Sequence, residues 1–274
     1  MQILPQQLSV DFAETFRSGS VEAKREALFQ IRNLRSSQAS RLAIPALADP
    51  SEIVRATATS SVIFLSSDEA AALLIPLLND KAEFVRREAA YALGTAGSPT
   101  AIDALLQRLQ KDKVLEVRTA SAIALGGVGD VRAVDALITV LRKKPVEDEE
   151  FLRRSAARSI GQIAQIIQTG KSQILTPQNF LPDKYRETEK LTYPSLTTQF
   201  PGFSPAVTEL IRVLQSSSEA DDTRREAAFS LGAIGDPSAS SSLNASVSSE
   251  DPYLVQISKE SLLKLSNNKT LLCC

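Results

Sequence analysis

The 274-residue chain is 43% hydrophobic and 23% charged, enough apolar residue to bury a sizeable core. Its 31 Lys and Arg against 32 Asp and Glu leave a net charge of −1, which argues against nucleic acid as the main ligand, because neutralising phosphates needs a basic excess. With no His there is no Ser-His-Asp triad, no H-E-x-x-H zinc site and no His-ligated iron, and two adjacent cysteines, Cys273 and Cys274, rule out a disulfide framework.

Along the chain, Met1–Val10 lacks the basic start and apolar stretch of a signal peptide. From Ala23 onward one phrase recurs: an apolar residue, a base, two variable residues, a small residue, two more variable residues, a small residue and an aliphatic. Copies begin at Ala23, Val54, Val85, Val117, Leu152 and Thr223, with a degenerate one at Leu254; Val85–Gly94, Val117–Gly126 and Thr223–Gly232 are the clearest. The base falls on Lys24, Arg55, Arg86, Arg118, Arg153 and Arg224, at steps of 31, 31, 32, 35 and 71 residues. The last step is about two periods, so an insertion replaces one ordinary connection.

Positions 1, 5, 8 and 9 of the phrase share one face of a helix, and the small residues among them let a neighbour approach closely. Glycine at position 10, then Gly97, Gly129 or Gly235, predicts the helix end. Amphipathic partner helices are predicted at Ala39–Ala48, Glu69–Asn79, Thr100–Gln110, Arg132–Lys143 and Pro205–Gln215. The longest apolar run, Ala70–Leu78, has nine residues and contains Pro76, too short to span a membrane, so a cytoplasmic protein is expected. Helix pairs at a period near 32 residues predict an all-α fold, an α-solenoid of six to seven stacked hairpins forming a single domain, 1–274, with an insertion at 169–204. The period also suits ankyrin and tetratricopeptide repeats, but their T-P-L-H and W-x-x-L-G residues are absent.

The pattern V-R-x-x-A-A-x-A-L-G-x-x-G-D-P, followed closely by Val85–Pro99 and Thr223–Pro237 and in most positions by Val117–Asp130, resembles the HEAT-like repeats of phycobilisome lyases and their relatives. The resemblance spans nearly the whole chain outside the insertion and the tails. It implies hairpins of the HEAT type and a protein-binding scaffold, chaperone-like or a lyase subunit, working on a phycobiliprotein. Its partner would be a phycobiliprotein subunit or a second HEAT-repeat subunit, with a bilin as a transient ligand. The family also holds plain adaptors and proteins that handle iron–sulfur clusters, and both remain alternatives. Deoxyhypusine hydroxylases share the architecture but hold iron with His–Glu pairs, which this chain cannot supply.

No nucleophile or general base stands out, so any enzymatic role would be that of a bilin lyase subunit. The second-position bases are expected to bond loop carbonyls or an Asp in a neighbouring turn, such as Asp49 or Asp80. Positions 3 and 7 point away from the core, toward the concave side if the phrase helix is the inner one: Arg25 and Phe29, Arg87 and Tyr91, Thr119 and Ile123, Arg154 and Arg158, Arg225 and Phe229. Three of these pairs set an Arg one turn before an aromatic, within stacking reach, which suits a partner bearing carboxylates on an apolar body. The alternative is that position 7 packs against the next repeat. The insertion holds five of the chain's 14 aromatics, Phe180, Tyr185, Tyr193, Phe200 and Phe203, as a second candidate contact region or as a cover for the solenoid edge. Cys273 and Cys274 offer half the ligands of an iron–sulfur cluster, so a cluster would need a second chain, and otherwise they are a tail.

Overall fold

The computed structural model describes residues 6–170 and 194–269, and its chain divides into two compact units, Met1–Ala124 and Leu125–Cys274. Both are built from pairs of helices, here called A and B in chain order. The first unit pairs α1 (Gln6–Ser18) with α2 (Val21–Asn33), α3 (Ser37–Leu42) with α4 (Glu52–Thr59), α5 (Ser67–Leu74) with α6 (Glu83–Ala96), and α7 (Ile102–Lys111) with α8 (Leu115–Val128), whose last turn belongs to the second unit. The second unit pairs α9 (Val134–Arg142) with α10 (Glu150–Thr169), then α12 (Phe203–Gln215) with α13 (Asp221–Ile234), and α14 (Ser240–Ser246) with α15 (Pro252–Lys269); the short α11 (Leu196–Gln199) precedes α12. The fold is an all-α solenoid of helical hairpins, seven of them among the described residues, and these contain no strand.

The recurring phrase forms the B helices, and its positions 1, 5, 8 and 9 are the core. In α6 these are Val85, Ala89, Ala92 and Leu93, all buried; in α13 they are Thr223, Ala227, Ser230 and Leu231, buried as well. Two of the A helices differ from expectation. The segments around Ala39–Ala48 and Glu69–Asn79 are each a short α-helix followed by a 3-10 turn, Ile44–Ala48 and Ile75–Asn79. Pro45 and Pro76 stand near the start of those turns, where a proline removes a backbone donor and crowds the carbonyl four residues back, so the α-helix cannot run through. The second A helix of the second unit, α12, starts at Phe203, two residues before the expected Pro205.

The position-10 glycines do not stop the helices; they set the distance between them. A Cβ on Gly94 would stand 2.6 Å from the Ala124 Cα, and one on Gly232 would stand 2.6 Å from the Ser261 Cβ. The same contact joins Gly126 to Ser159 and Gly161 to Ser230, so position 10 of one B helix receives position 8 of the next. At three of the position-8 serines the hydroxyl donates back to a position-6 carbonyl: Ser61 to Leu28 at 3.1 Å, Ser230 to Ala157 at 2.7 Å and Ser261 to Ala228 at 2.9 Å. Helix ends are made by Gly97 and Gly235 at φ 70° and 76°, where a side chain would be strained. Gly94→Ala should lower the stability of the first unit by about 1–3 kcal/mol through overpacking, although alanine is the better helix former by about 1 kcal/mol. Urea denaturation of the two proteins checks this, and equal midpoints would remove the packing role assigned to Gly94.

Candidate functional site

The second-position bases are structural, as expected, and their partners lie one loop ahead. Lys24 Nζ meets Asp49 at 2.7 Å, Arg55 grips both oxygens of Asp80 at 2.8 and 2.9 Å, and Arg86 both oxygens of Asp112 at 2.9 and 3.0 Å. Each Asp also accepts from a backbone N–H two residues on, of Ser51, Ala82 and Val114, which fixes the turn before the next B helix. The Arg55 hydrogen bonds hold the Asp80 carboxyl below its ordinary range. In the second unit Arg153 is 1% exposed, paired with Glu219 and donating to the carbonyls of Val140, Leu141 and Lys143. The last fork shifts by one residue: Arg224 bonds the Leu214 carbonyl at 3.1 Å, and its neighbour Arg225 takes the acid ahead, Asp251, at 2.6 and 3.0 Å.

With that framework fixed, the side of each B helix opposite the core carries the candidate site. At 100° per residue positions 3 and 7 share it, and so does the residue just before the phrase, position 0, about 20° from position 7 and about 60° from position 3. Among the described residues, four of the eight exposed large hydrophobic side chains stand at position 0: Ile53, Phe84, Phe151 and Tyr253, at 42, 38, 56 and 49%. That concentration sets the face apart from scattered apolar exposure. The reading of positions 3 and 7 alone missed this row, although the sequence signals it: Glu83-Phe84-Val85-Arg86-Arg87 and Glu150-Phe151-Leu152-Arg153-Arg154 are near-copies, each with a phenylalanine the core does not need.

The expected Arg–aromatic pairs are rearranged accordingly. Arg25 lies over Phe29 at 5.9 Å, as expected, and Phe29 is 40% exposed. Arg87 stacks on Phe84 at 4.9 Å, one turn back, and not on the half-buried Tyr91; its Nε and Nη2 donate to Glu88. Arg225 stacks on Tyr253 of α15 at 5.2 Å, while Phe229 is only 8% exposed, beneath Lys264. Phe229 is therefore core, because α13 is packed on both sides by α10 and α15. Thr119 is buried and Ile123 half-buried. Arg154 bridges to Asp222 at 2.8 Å, and Arg154 and Arg158 both approach the Oε1 atom of Glu226, at 3.7 and 3.4 Å. Of the insertion aromatics, Phe203 is fully buried at the start of α12 and Phe200 is half-buried; Phe180, Tyr185 and Tyr193 lie outside the described residues, as do Cys273 and Cys274. An apolar groove of about 550 Å³ between α14 and α15 is lined by Val247, Leu262, Leu263 and Leu265, with Leu263 where α6, α8, α10 and α13 have the position-10 glycine. Among the described residues no helix is long and apolar enough to cross a membrane.

A HEAT-repeat family model matches residues 12–94, 41–126 and 73–161, together more than half of the chain. The chain belongs to the HEAT-repeat family. A phycobilisome-lyase HEAT-like repeat model matches residues 223–247. Among solved structures, an engineered protein is 19% identical with a TM-score of 0.57, covering 96% of this chain and 68% of its own. The complex of CpcE and CpcF of phycocyanin lyase from Nostoc sp. PCC7120 is 21% identical with a TM-score of 0.50, covering 99% of this chain and 94% of its own. At these identities the likeness speaks for the fold. No curated relative matches the sequence.

Proposed function

We propose that this HEAT-repeat chain is a cytoplasmic protein-binding scaffold whose partner is a phycobiliprotein subunit or a second HEAT-repeat subunit, with a role in bilin attachment or handling. The observation that carries the binding role is the position-0 row, Ile53 and Phe84 in the first unit, Phe151 and Tyr253 in the second. Exposed aromatics beside arginine are the residue types that dominate interface energies, and here the paired bases hold the helix starts so that those side chains stay presented. The pigment link draws on the phycobilisome-lyase repeat matched at 223–247 and on the CpcE–CpcF complex, in which two lyase subunits associate. A plain adaptor would use the same face with another partner.

The test is binding of the immobilised protein to purified phycobiliprotein α and β subunits, with and without bilin, and to companion HEAT-repeat subunits. Phe84→Ala combined with Phe151→Ala should weaken capture by about 1–3 kcal/mol in total. The melting temperature should barely move, since both rings are exposed. Undiminished capture by the double variant would dismiss the face, and capture of neither class of partner would leave the adaptor reading.

A further inference from the structure

The side chains of Phe151, Arg154 and Arg158 fall at positions 0, 3 and 7 of α10, so one face of one helix presents a phenyl ring and two guanidinium groups. The ring is 56% exposed and the arginine side chains 37% and 34%. Both arginines converge on a single oxygen from the next B helix, Glu226 Oε1, and at 3.4 and 3.7 Å neither contact is short. Among the described residues it is the only ion pair of Arg158, whereas Arg154 also holds Asp222 at 2.8 Å. Glu226 itself is 1% exposed, and its other oxygen, Oε2, is buried without a hydrogen-bond partner among the described residues. A buried carboxylate with one oxygen unsatisfied and the other loosely shared is a poor final partner for two arginines. Elsewhere in this protein an arginine that serves structure takes both oxygens of its acid at hydrogen-bond distance, as Arg55, Arg86 and Arg225 do.

We propose that Arg154, Arg158 and Phe151 form a receiving site for a carboxylate carried on an apolar body, and that Glu226 is the internal carboxylate an incoming one displaces. The incoming group takes the two guanidinium groups from the solvent side, its apolar body lies against Phe151, and Glu226 becomes neutral by taking a proton from solvent. Burial already pushes the Glu226 carboxyl up to about 7, against Arg158 and Arg154 and with Asp222 adding to the rise, so the neutral form is within reach at neutral pH. Arg225 of the same helix and the charged groups on the other packed elements are engaged elsewhere: Arg225 with Asp251, Lys264 over Phe229, and Arg212 with Glu209. This site shares Phe151 with the face proposed above, but its test does not depend on which protein binds there. Its carboxylate has two possible sources, a free aromatic acid or an Asp or Glu side chain on a partner helix.

Two probes separate these sources: phenylacetate, and an amphipathic helical peptide with one central Glu. Calorimetry in two buffers of different ionisation enthalpy, at pH 7, reads binding and proton uptake together. Saturable binding of either probe is expected, with uptake of about half a proton per site as Glu226 passes from partly to fully protonated. Arg158→Gln should weaken binding at least about tenfold, the loss of one charge-assisted contact. Glu226→Gln should bind at least as tightly as the wild type, with no proton uptake. Phe151→Ala, which removes a ring that is 56% exposed, should also weaken binding of the probes. Binding by phenylacetate assigns the site to small acids, and binding by the peptide alone assigns it to a protein partner. Binding of neither, equal binding by wild type and Phe151→Ala, or uptake that persists in Glu226→Gln would overturn the proposal.

Discussion

Arg153→Ala should destabilise the second unit by about 3–5 kcal/mol, the usual cost of removing one partner of a buried ion pair. The side chain is 1% exposed and its partner Glu219 is buried as well. Alanine would strand that carboxylate and would also orphan the carbonyls of Val140, Leu141 and Lys143, which the guanidinium now satisfies at 2.7–3.0 Å. These groups come from the end of α9 and from the turn before α13, so one side chain ties an A helix to the connection that follows the insertion. Replacing both members, Arg153→Met with Glu219→Leu, should recover a large part of the loss, because no charge is then left buried, although the three carbonyls stay unpaired. Urea denaturation of the wild type, the single variant and the double variant measures this. A single variant within about 1 kcal/mol of the wild type would mean that water replaces the guanidinium and that the pair is not structural.

The period, the core stripe and the base ladder were legible because each is local: a repeated phrase fixes which residues face inward, and a base at the same place in each copy needs an acid at the same place in each loop. Asp49 and Asp80 were named on that ground, and Asp112 follows the same rule. The exchange of roles between Arg224 and Arg225 was not legible, because both are arginines and only the position of Asp251 decides which one reaches it. The partners of the stacked arginines were misplaced for a related reason. A ring one turn ahead and a ring one turn behind are equally near in sequence, and Arg87 takes Phe84 because Tyr91 is half-buried against the helix packing. Position 0 lies outside a phrase that begins at its first core residue. Phe229 shows the limit of inference from helix angle: position 7 faces solvent in α2 but is covered in α13, where helices pack on either side.

Glu226→Gln should make the protein more stable than the wild type above neutral pH, with an advantage that grows by about 3 kcal/mol between pH 4 and pH 8. The size follows from the carboxyl's rise from 4.5 to about 7 in the fold. A raised carboxyl favours the folded state while it is protonated. Below about 4.5 both folded and unfolded chains carry the proton, so the group is neutral in its effect on pH dependence. Between about 4.5 and 7 the unfolded chain ionises while the folded one resists, and stability falls as pH rises; above about 7 both are charged and the loss is complete. Glutamine removes this titration and still offers Arg158 an amide oxygen to accept from. Urea denaturation of both proteins at several pH values isolates the effect as a difference, which cancels the titration of every other group. An advantage that stays constant from pH 4 to pH 8 would mean that Glu226 ionises as easily in the fold as outside it, held by Arg154 and Arg158 more firmly than contacts at 3.7 and 3.4 Å imply.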